Sequence, residues 1–407
     1  MRLRQCPVAL VTGCLLLVCA ACNKSQPPAP DTPAPAVQNT GAPVTEEEAK
    51  EFAEKLSQAV KGNDPARVDS LLHLNDLVER LVSDLNLSAE ERRNFMAGAQ
   101  RSLQQGGFGR QILRSIGDGG SYKLLRVHTG DGRPRTLFRM ISGEGAVNYH
   151  DYVLARFPDS TVGMEDVYVF ITAEPLSQTM RRILIPVLTQ TRGGGKAADD
   201  LTKAGPDFVA MTQAVQQGQL AQAVAKYRQL PQALQDNKAV LVIYLQVLVQ
   251  QAGAGEKDYL AAMEKFRKLY PDDAAVDFVS IDYYLIKKQY DDALKAIAAV
   301  QKAVGGDAHL ESMRANVLAE AGRYDEARAA AEKAVKDEPD LDSGYWSRIT
   351  VSLREKKYAD TVEWLKKVVE QCKIEVQDLT QNPEFGGFIK SPQHGEWRKW
   401  YRAHSKK

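Results

Sequence analysis

Cysteine is scarce beyond the start of this chain. Four of the five cysteines lie within the first 22 residues, and Cys372 is the fifth. If the first 21 residues are removed, only Cys22 and Cys372 remain, which leaves no internal disulfide framework and no cysteine-based metal site. We interpret Cys372 as a residue on the face of a helix.

An excess of either charge is also missing. The sequence has 53 Lys+Arg residues against 52 Asp+Glu, a formal net charge of +1. Proteins that bind nucleic acids concentrate positive charge, because each phosphate contact is made by a basic group. The sequence therefore predicts no nucleic-acid partner.

Motifs for catalysis are absent as well. The sequence contains no Gly-x-Ser-x-Gly elbow, no phosphate loop and no His-Glu-x-x-His helix. The densest polar group is residues 148–152. On a strand, His150 would share a face with Asn148 and Tyr152, whereas Asp151 would point to the other face with Tyr149. These neighbours cannot form a His/Asp dyad, and we expect no enzyme activity, no cofactor and no metal.

What the chain does have is a period. Tyr290, Tyr324 and Tyr358 are spaced 34 residues apart, and each is followed within two residues by an aspartate. A constant spacing of this length predicts a helical hairpin that buries its apolar face by stacking on copies of itself. Protein interaction, rather than catalysis, is typical of such a scaffold.

The unit at residues 308–341 resembles the tetratricopeptide repeat most closely. Gly322 lies at the turn between two predicted helices, where a left-handed backbone ends the first helix, and Pro339 ends the second. The small and apolar positions that carry the resemblance are Ala315, Leu318, Ala327, Ala331 and Ala334. The resemblance implies an all-α solenoid of five hairpins over residues 204–375, in which the outer hairpins are less regular.

In this family the first helices line a concave groove, with repeat positions 5 and 9 facing it. The partner-binding residues that the resemblance implies are Phe208, Tyr244, Phe278, Asp282, Asn316 and Trp346. Aromatic side chains at such positions would suit an extended peptide or a partner helix. Equally, some of them would pack against the preceding domain or against a C-terminal helix.

The N-terminus resembles a bacterial lipoprotein signal. Arg2 and Arg4 precede an apolar run from Val8 to Val18, and Ala20-Ala21 stand directly before Cys22. The resemblance implies a signal peptide at residues 1–21, lipid attached to Cys22, and a periplasmic protein anchored to a membrane of the cell envelope. Whether that membrane is inner or outer stays open, as does an ordinary secretory peptide cut after Ala21. Residues 22–44 are rich in proline and predict an extended tether.

Between the tether and the repeats the pattern is mixed. Helix signals come first, including a capping box predicted for Thr45 and Glu48. Four apolar segments rich in sheet-forming residues follow, at 122–128, 136–141, 147–157 and 166–172. They predict an α+β domain at residues 45–190, with helices and a four-stranded antiparallel sheet. A linker at 191–203 leads to the repeats, and residues 376–407, with Trp397 and Trp400, form a capping segment.

Two functions are consistent with this organisation. The first is a lipid-anchored envelope scaffold that binds a protein or peptide partner through the groove. The alternative is a small-ligand-binding or enzymatic α+β domain localised by the repeats, which a buried polar pocket containing His150 or Arg139 would favour. Peptidoglycan binding is a third possibility, with no recognisable motif in its support.

Overall fold

A computed structural model describes residues 42–404 except 84, 86, 144, 183–205, 216, 252–255, 272, 274 and 377. The predicted signal peptide, most of the tether and the linker at 191–203 lie outside the described residues. The chain divides into two compact units, the first extending to Val279 and the second being Ser280–Lys407. No helix of the described residues is long and apolar enough to cross a membrane.

The first unit opens with five helices. Their bounds are α1 Glu46–Lys61, α2 Pro65–Leu71, α3 Leu74–Val82, α4 Ala89–Gly106 and α5 Phe108–Ile116. Helix α1 begins with the predicted capping box: the Glu48 backbone N–H donates to the Thr45 hydroxyl at 3.2 Å, and the Thr45 backbone N–H donates to the Glu48 carboxylate at 2.9 Å. Each end thus satisfies a donor that a helix start would otherwise leave without a partner.

An antiparallel sheet follows the helices in the order β1-β2-β3-β4-β5. Its strands are β1 Ser121–Gly130, β2 Arg133–Ile141, β3 Val147–Arg156, β4 Val162–Val169 and β5 Glu174–Pro175. The prediction of four strands was wrong by one. β4 ends at Val169, where the chain turns through Ala173 with φ of 46° and returns as a two-residue strand too short to leave an alternating pattern in the sequence.

The two faces of the sheet carry different side chains. Phe138 pairs with His150, and Thr136 with Tyr152, on the face that helix α1 covers, where the Phe52 ring meets Tyr152. We call this the inner face. Leu137 pairs with Asp151, and Arg139 with Tyr149, on the opposite, outer face. His150 and Asp151 therefore lie on opposite faces, as the alternation of a strand requires.

The first unit also contains the first helices of the repeat region. Residues 176–182 and 206–215 are helical. They are followed by α6 Leu220–Gln229, α7 Gln232–Gln235, α8 Lys238–Gln250 and α9 Glu256–Leu269, and the unit boundary falls inside α10 Ala275–Ile286. Helix α8 is buried on all sides over residues 238–248, so its sequence shows a continuous apolar run rather than a stripe.

The second unit follows the 34-residue period closely. Its helices are α11 Tyr290–Val304, α12 Ala308–Glu320, α13 Tyr324–Asp337, α14 Asp342–Arg354 and α15 Tyr358–Cys372. Helices α11, α13 and α15 thus begin at the three periodic tyrosines. Ala327, Ala331 and Ala334 are buried in α13, where small side chains allow neighbouring helices to approach closely.

The turns before these helices share one backbone geometry. Gln289, Arg323 and Lys357 have φ between −86° and −88° and ψ between 65° and 70°. The residue before each has positive φ: 54° at Lys288, 75° at Gly322 and 59° at Lys356. The left-handed position predicted for Gly322 is confirmed, and two of the three turns adopt it with lysine.

The C-terminal residues pack against the last hairpin. They form two 3-10 turns, Leu379–Gln381 and Pro383–Phe385, and the helices α16 Gly386–Ile389 and α17 Pro392–His404. Phe388 and Trp397 are buried in one cluster with Leu365 of α15, and Trp400 packs on it from the edge. This segment removes the apolar side of the final repeat from water.

Candidate functional site

The predicted partner-binding residues differ in burial between the two units. In the first unit Phe208, Tyr244 and Phe278 are buried. In the second unit Asn316 and Trp346 are half-buried. We use the term first-helix surface for positions 5 and 9 of the hairpins, and this surface is the candidate site.

Tyr244 does not lie where the period places it. Helix α8 begins at Lys238, two residues before the position that a 34-residue spacing from α10 would give. Two residues rotate a helical position by about 200°. The Tyr244 ring accordingly stacks on Tyr227 of α6, with centroids 3.7 Å apart and an angle of 8° between the planes, so it packs against a second helix of the preceding hairpin.

Phe278 contacts the α+β part of the first unit. Its ring meets Tyr149 of the outer sheet face edge-on, at 6.2 Å between centroids. The sequence left open whether groove aromatics bind a partner or pack against the preceding domain, and in this structure Phe278 packs.

In the second unit the first-helix surface is polar. Ser343 of α14 donates to the Ser312 hydroxyl of α12 at 3.0 Å, and His309 Nδ1 lies 3.3 Å from the Ser343 hydroxyl oxygen. His309 and Ser343 are 34 residues apart, so they occupy one repeat position, and that spacing was the signal by which the sequence could have revealed His309. The structure therefore brings equivalent positions of adjacent repeats together.

Two further side chains shape this surface. The Asn316 side-chain oxygen is buried and has no hydrogen-bond partner among the described residues. The Trp346 indole N–H donates to Asp342 at 3.1 Å, and burial, the largest cause, raises the pKa of Asp342. A buried amide oxygen without a partner is costly, and an N–H donor from a bound segment would satisfy it.

A polar network lies under the inner sheet face. The Tyr122 hydroxyl is 2.9 Å from His150 Nδ1 and 2.6 Å from the Tyr152 hydroxyl, and the Asn148 amide nitrogen is 3.3 Å from His150 Nε2. Burial lowers the pKa of His150 to about 3, so the ring is neutral at physiological pH. Both ring nitrogens are engaged within the chain, which leaves neither for a substrate.

The outer face holds a histidine–aspartate pair that the sequence did not reveal. His128 Nε2 lies 2.8 Å from Asp151, and Arg135 donates to the other Asp151 oxygen at 3.2 Å. Only the register of β1, β2 and β3 brings these residues together. Such a pair could orient an imidazole as a base, but no nucleophilic side chain lies within hydrogen-bonding distance of His128 among the described residues. Arg139 is also on this face, so it does not share a pocket with His150.

No group of three or more metal-ligating side chains occurs among the residues that the structure describes. The site is therefore described by its surface rather than by a reactive centre.

Comparison with known proteins identifies the repeats. A family model described as tetratricopeptide repeat matches residues 312–373, which run from within α12 to the end of α15. No curated protein and no solved structure matches the chain. The matched region contains the regular turns, the buried alanine stripe and the half-buried Asn316 and Trp346. The chain is therefore a protein that contains tetratricopeptide repeats.

Proposed function

We propose that the protein is a lipid-anchored scaffold of the cell envelope, which binds a protein or peptide partner through its first-helix surface and catalyses no reaction. The observation that carries the proposal is the second unit: it combines the family match with a half-buried tryptophan and a buried amide oxygen without a partner. Tetratricopeptide repeats generally mediate protein–protein interaction, and aromatic side chains are frequent anchors at interfaces.

The sequence supports the location. The Ala-Ala-Cys22 ending of the apolar run fits lipid attachment at Cys22, and the proline-rich tether separates the anchor from the folded part. At about 3.1 Å per residue, some twenty extended residues would allow a reach of roughly 60 Å. That reach would bring the repeats to partners in the periplasm.

The alternative, a ligand-binding or enzymatic α+β domain, has less support. It relied on His150 or Arg139 in a buried polar pocket. His150 is buried as that reading required, but its two nitrogens are held by Tyr122 and Asn148, and Arg139 lies on the opposite face of the sheet. A closed network of this kind stabilises the fold, since each buried polar group has a partner.

The surface is tested by crosslinking in cells followed by recovery of the anchored protein. We compare the parent chain with Trp346→Ala and with Trp364→Ala as a matched control, because both tryptophans are half-buried in the last hairpin, on its first and second helix. We expect Trp346→Ala to lose a specific envelope protein that Trp364→Ala retains. Equal recovery from both variants would reject the first-helix surface as the binding site.

The anchor is tested separately with Cys22→Ser. We expect this variant to lose incorporated palmitate and to move from the membrane fraction to the soluble fraction. Cys372→Ser serves as the control for the loss of one thiol and should remain in the membrane fraction. If Cys22→Ser stays membrane-bound and still carries lipid, the anchor assignment is wrong.

A further inference from the structure

The first unit already has something on its part of the first-helix surface. Tyr149 of the outer sheet face is fully buried and meets Phe278 at a T-shaped angle of 89°. Phe170 packs on the other side of Tyr149, with ring centroids 5.6 Å apart. An aromatic from the sheet thus occupies the position where an aromatic anchor of a partner would be expected.

A buried ion-pair cluster accompanies the ring contact. Lys238, the first residue of α8, is 2% exposed, and its ammonium lies 2.6 Å from Asp273 and 3.7 Å from Glu174 of β5. A lysine at the positive end of a helix is unfavourable, and a buried lysine needs a partner. The two carboxylates supply that compensation, and one of them comes from the sheet.

Three further contacts join the same parts of the first unit. Arg182 pairs with Glu174 at 2.8 Å, and the Asn237 amide, which caps α8, donates to the Arg182 carbonyl at 3.3 Å. Burial raises the pKa of Tyr168 on β4, and the carboxylates of Asp273 and Glu174 raise it further. The sheet and the repeat helices are therefore held by aromatic, ionic and hydrogen-bonded contacts at once.

We infer that the outer sheet face is an intramolecular occupant of the first-helix surface in the first unit, so that a partner can use Phe278 only by displacing Tyr149. This inference rests on the proposed function for its consequence, but not for the contact itself. It also indicates what such a partner has to offer: an aromatic side chain in place of Tyr149 and a carboxylate in place of Glu174.

Hydrogen exchange of the full chain tests the occupancy without any partner. The variants are Tyr149→Ala and Tyr152→Ala, two fully buried tyrosines of β3 that point to opposite faces. We expect Tyr149→Ala to raise the amide exchange of residues 238–250 and 275–279 by about tenfold, because the covering contact is lost. Tyr152→Ala should instead raise exchange in α1 and leave these residues unchanged.

A second variant keeps the test decisive if Tyr149→Ala unfolds the first unit. Glu174→Gln retains the shape of the side chain but removes its charge from Lys238, and it should raise exchange over residues 238–250 more than in α1. If both Tyr149→Ala and Glu174→Gln leave residues 238–250 and 275–279 as protected as in the parent, the occupancy is rejected, whatever the partner.

Photocrosslinking then separates this inference from the proposed function. A photoreactive amino acid at position 278 should capture the envelope partner in the Tyr149→Ala background and not in the parent. Capture at position 278 in the parent would contradict the occupancy. A partner lost from every position, with exchange responding as expected, would contradict the proposed function and leave the occupancy supported.

Discussion

The two units use one kind of helical hairpin in different ways. In the second unit, α11, α13 and α15 start 34 residues apart with turn dihedrals that agree within a few degrees. In the first unit, α8 starts two residues off the period and is buried along its whole first eleven residues. Regular spacing thus accompanies a half-open first-helix surface, and broken spacing accompanies a surface that the sheet occupies.

The difference shows where the repeat geometry is set. In the second unit it follows from local backbone rules at the turns, which act within each hairpin. In the first unit, contacts such as Phe278 with Tyr149 and Lys238 with Glu174 join residues far apart in the sequence. The comparison can be sharpened because all four tryptophans lie at positions 346–400, so tryptophan fluorescence reports only the second unit.

The largest expected effect comes from core cavities, one in each unit. Leu365→Ala and Phe266→Ala each remove a fully buried side chain and should cost about 2–5 kcal/mol. If the units are as separate as their packing indicates, Leu365→Ala lowers the denaturation midpoint seen by tryptophan fluorescence. Phe266→Ala should change only the circular-dichroism transition. Equal shifts of the fluorescence midpoint in both variants would show that the units unfold together.

A second effect depends on pH and belongs to the first unit. The pKa of His150 is about 3 in the folded chain, below its ordinary value of about 6.5, so the unfolded state binds more protons between these values. Stability of the first unit should therefore rise with pH from 3 to 6.5, and His150 should account for about 2 kcal/mol of loss at pH 5.

His150→Gln tests this dependence by denaturation at pH 5 and pH 7. The variant should flatten the pH dependence of the first unit, whereas His394→Gln in the second unit should leave it unchanged. An unaltered slope in His150→Gln would mean that other groups cause the acid sensitivity.

The turns of the second unit provide a smaller test. Gly322 has φ of 75° and open space where a Cβ would lie, so Gly322→Lys makes its turn chemically like those at Lys288 and Lys356. We expect a loss of about 1 kcal/mol from the left-handed backbone alone, measured by tryptophan fluorescence. Lys356→Gly should give a gain of a few tenths of that, partly offset by chain entropy. No change in either variant would mean that the shared turn geometry carries no strain.

The smallest expected effect is at the start of the first unit. Thr45→Ala removes the hydroxyl of the capping box and should cost up to about 1 kcal/mol. Thr45→Ser retains the acceptor and serves as the control. The difference should appear in the circular-dichroism transition and not in tryptophan fluorescence; a loss of the same size in Thr45→Ser would reject the capping bond as its cause.

These differences also explain what the sequence could predict. The period, the turn at Gly322 and the capping box at Thr45 are local patterns, and each was found in the structure. The fifth strand is two residues long, too short for a pattern. The pair of His128 with Asp151 requires the register of three strands, and the burial of Phe278 requires a contact across 129 positions of the chain. Pattern reading cannot supply either of these non-local facts.

One measurement tests the account most directly: site-specific photocrosslinking of the anchored chain in cells, with the photoreactive residue at position 346 or at position 278. The account predicts that position 346 captures an envelope protein and that position 278 captures none while Tyr149 is present. Capture from position 278 and none from position 346 would contradict both the assigned binding surface and its occupied counterpart in the first unit.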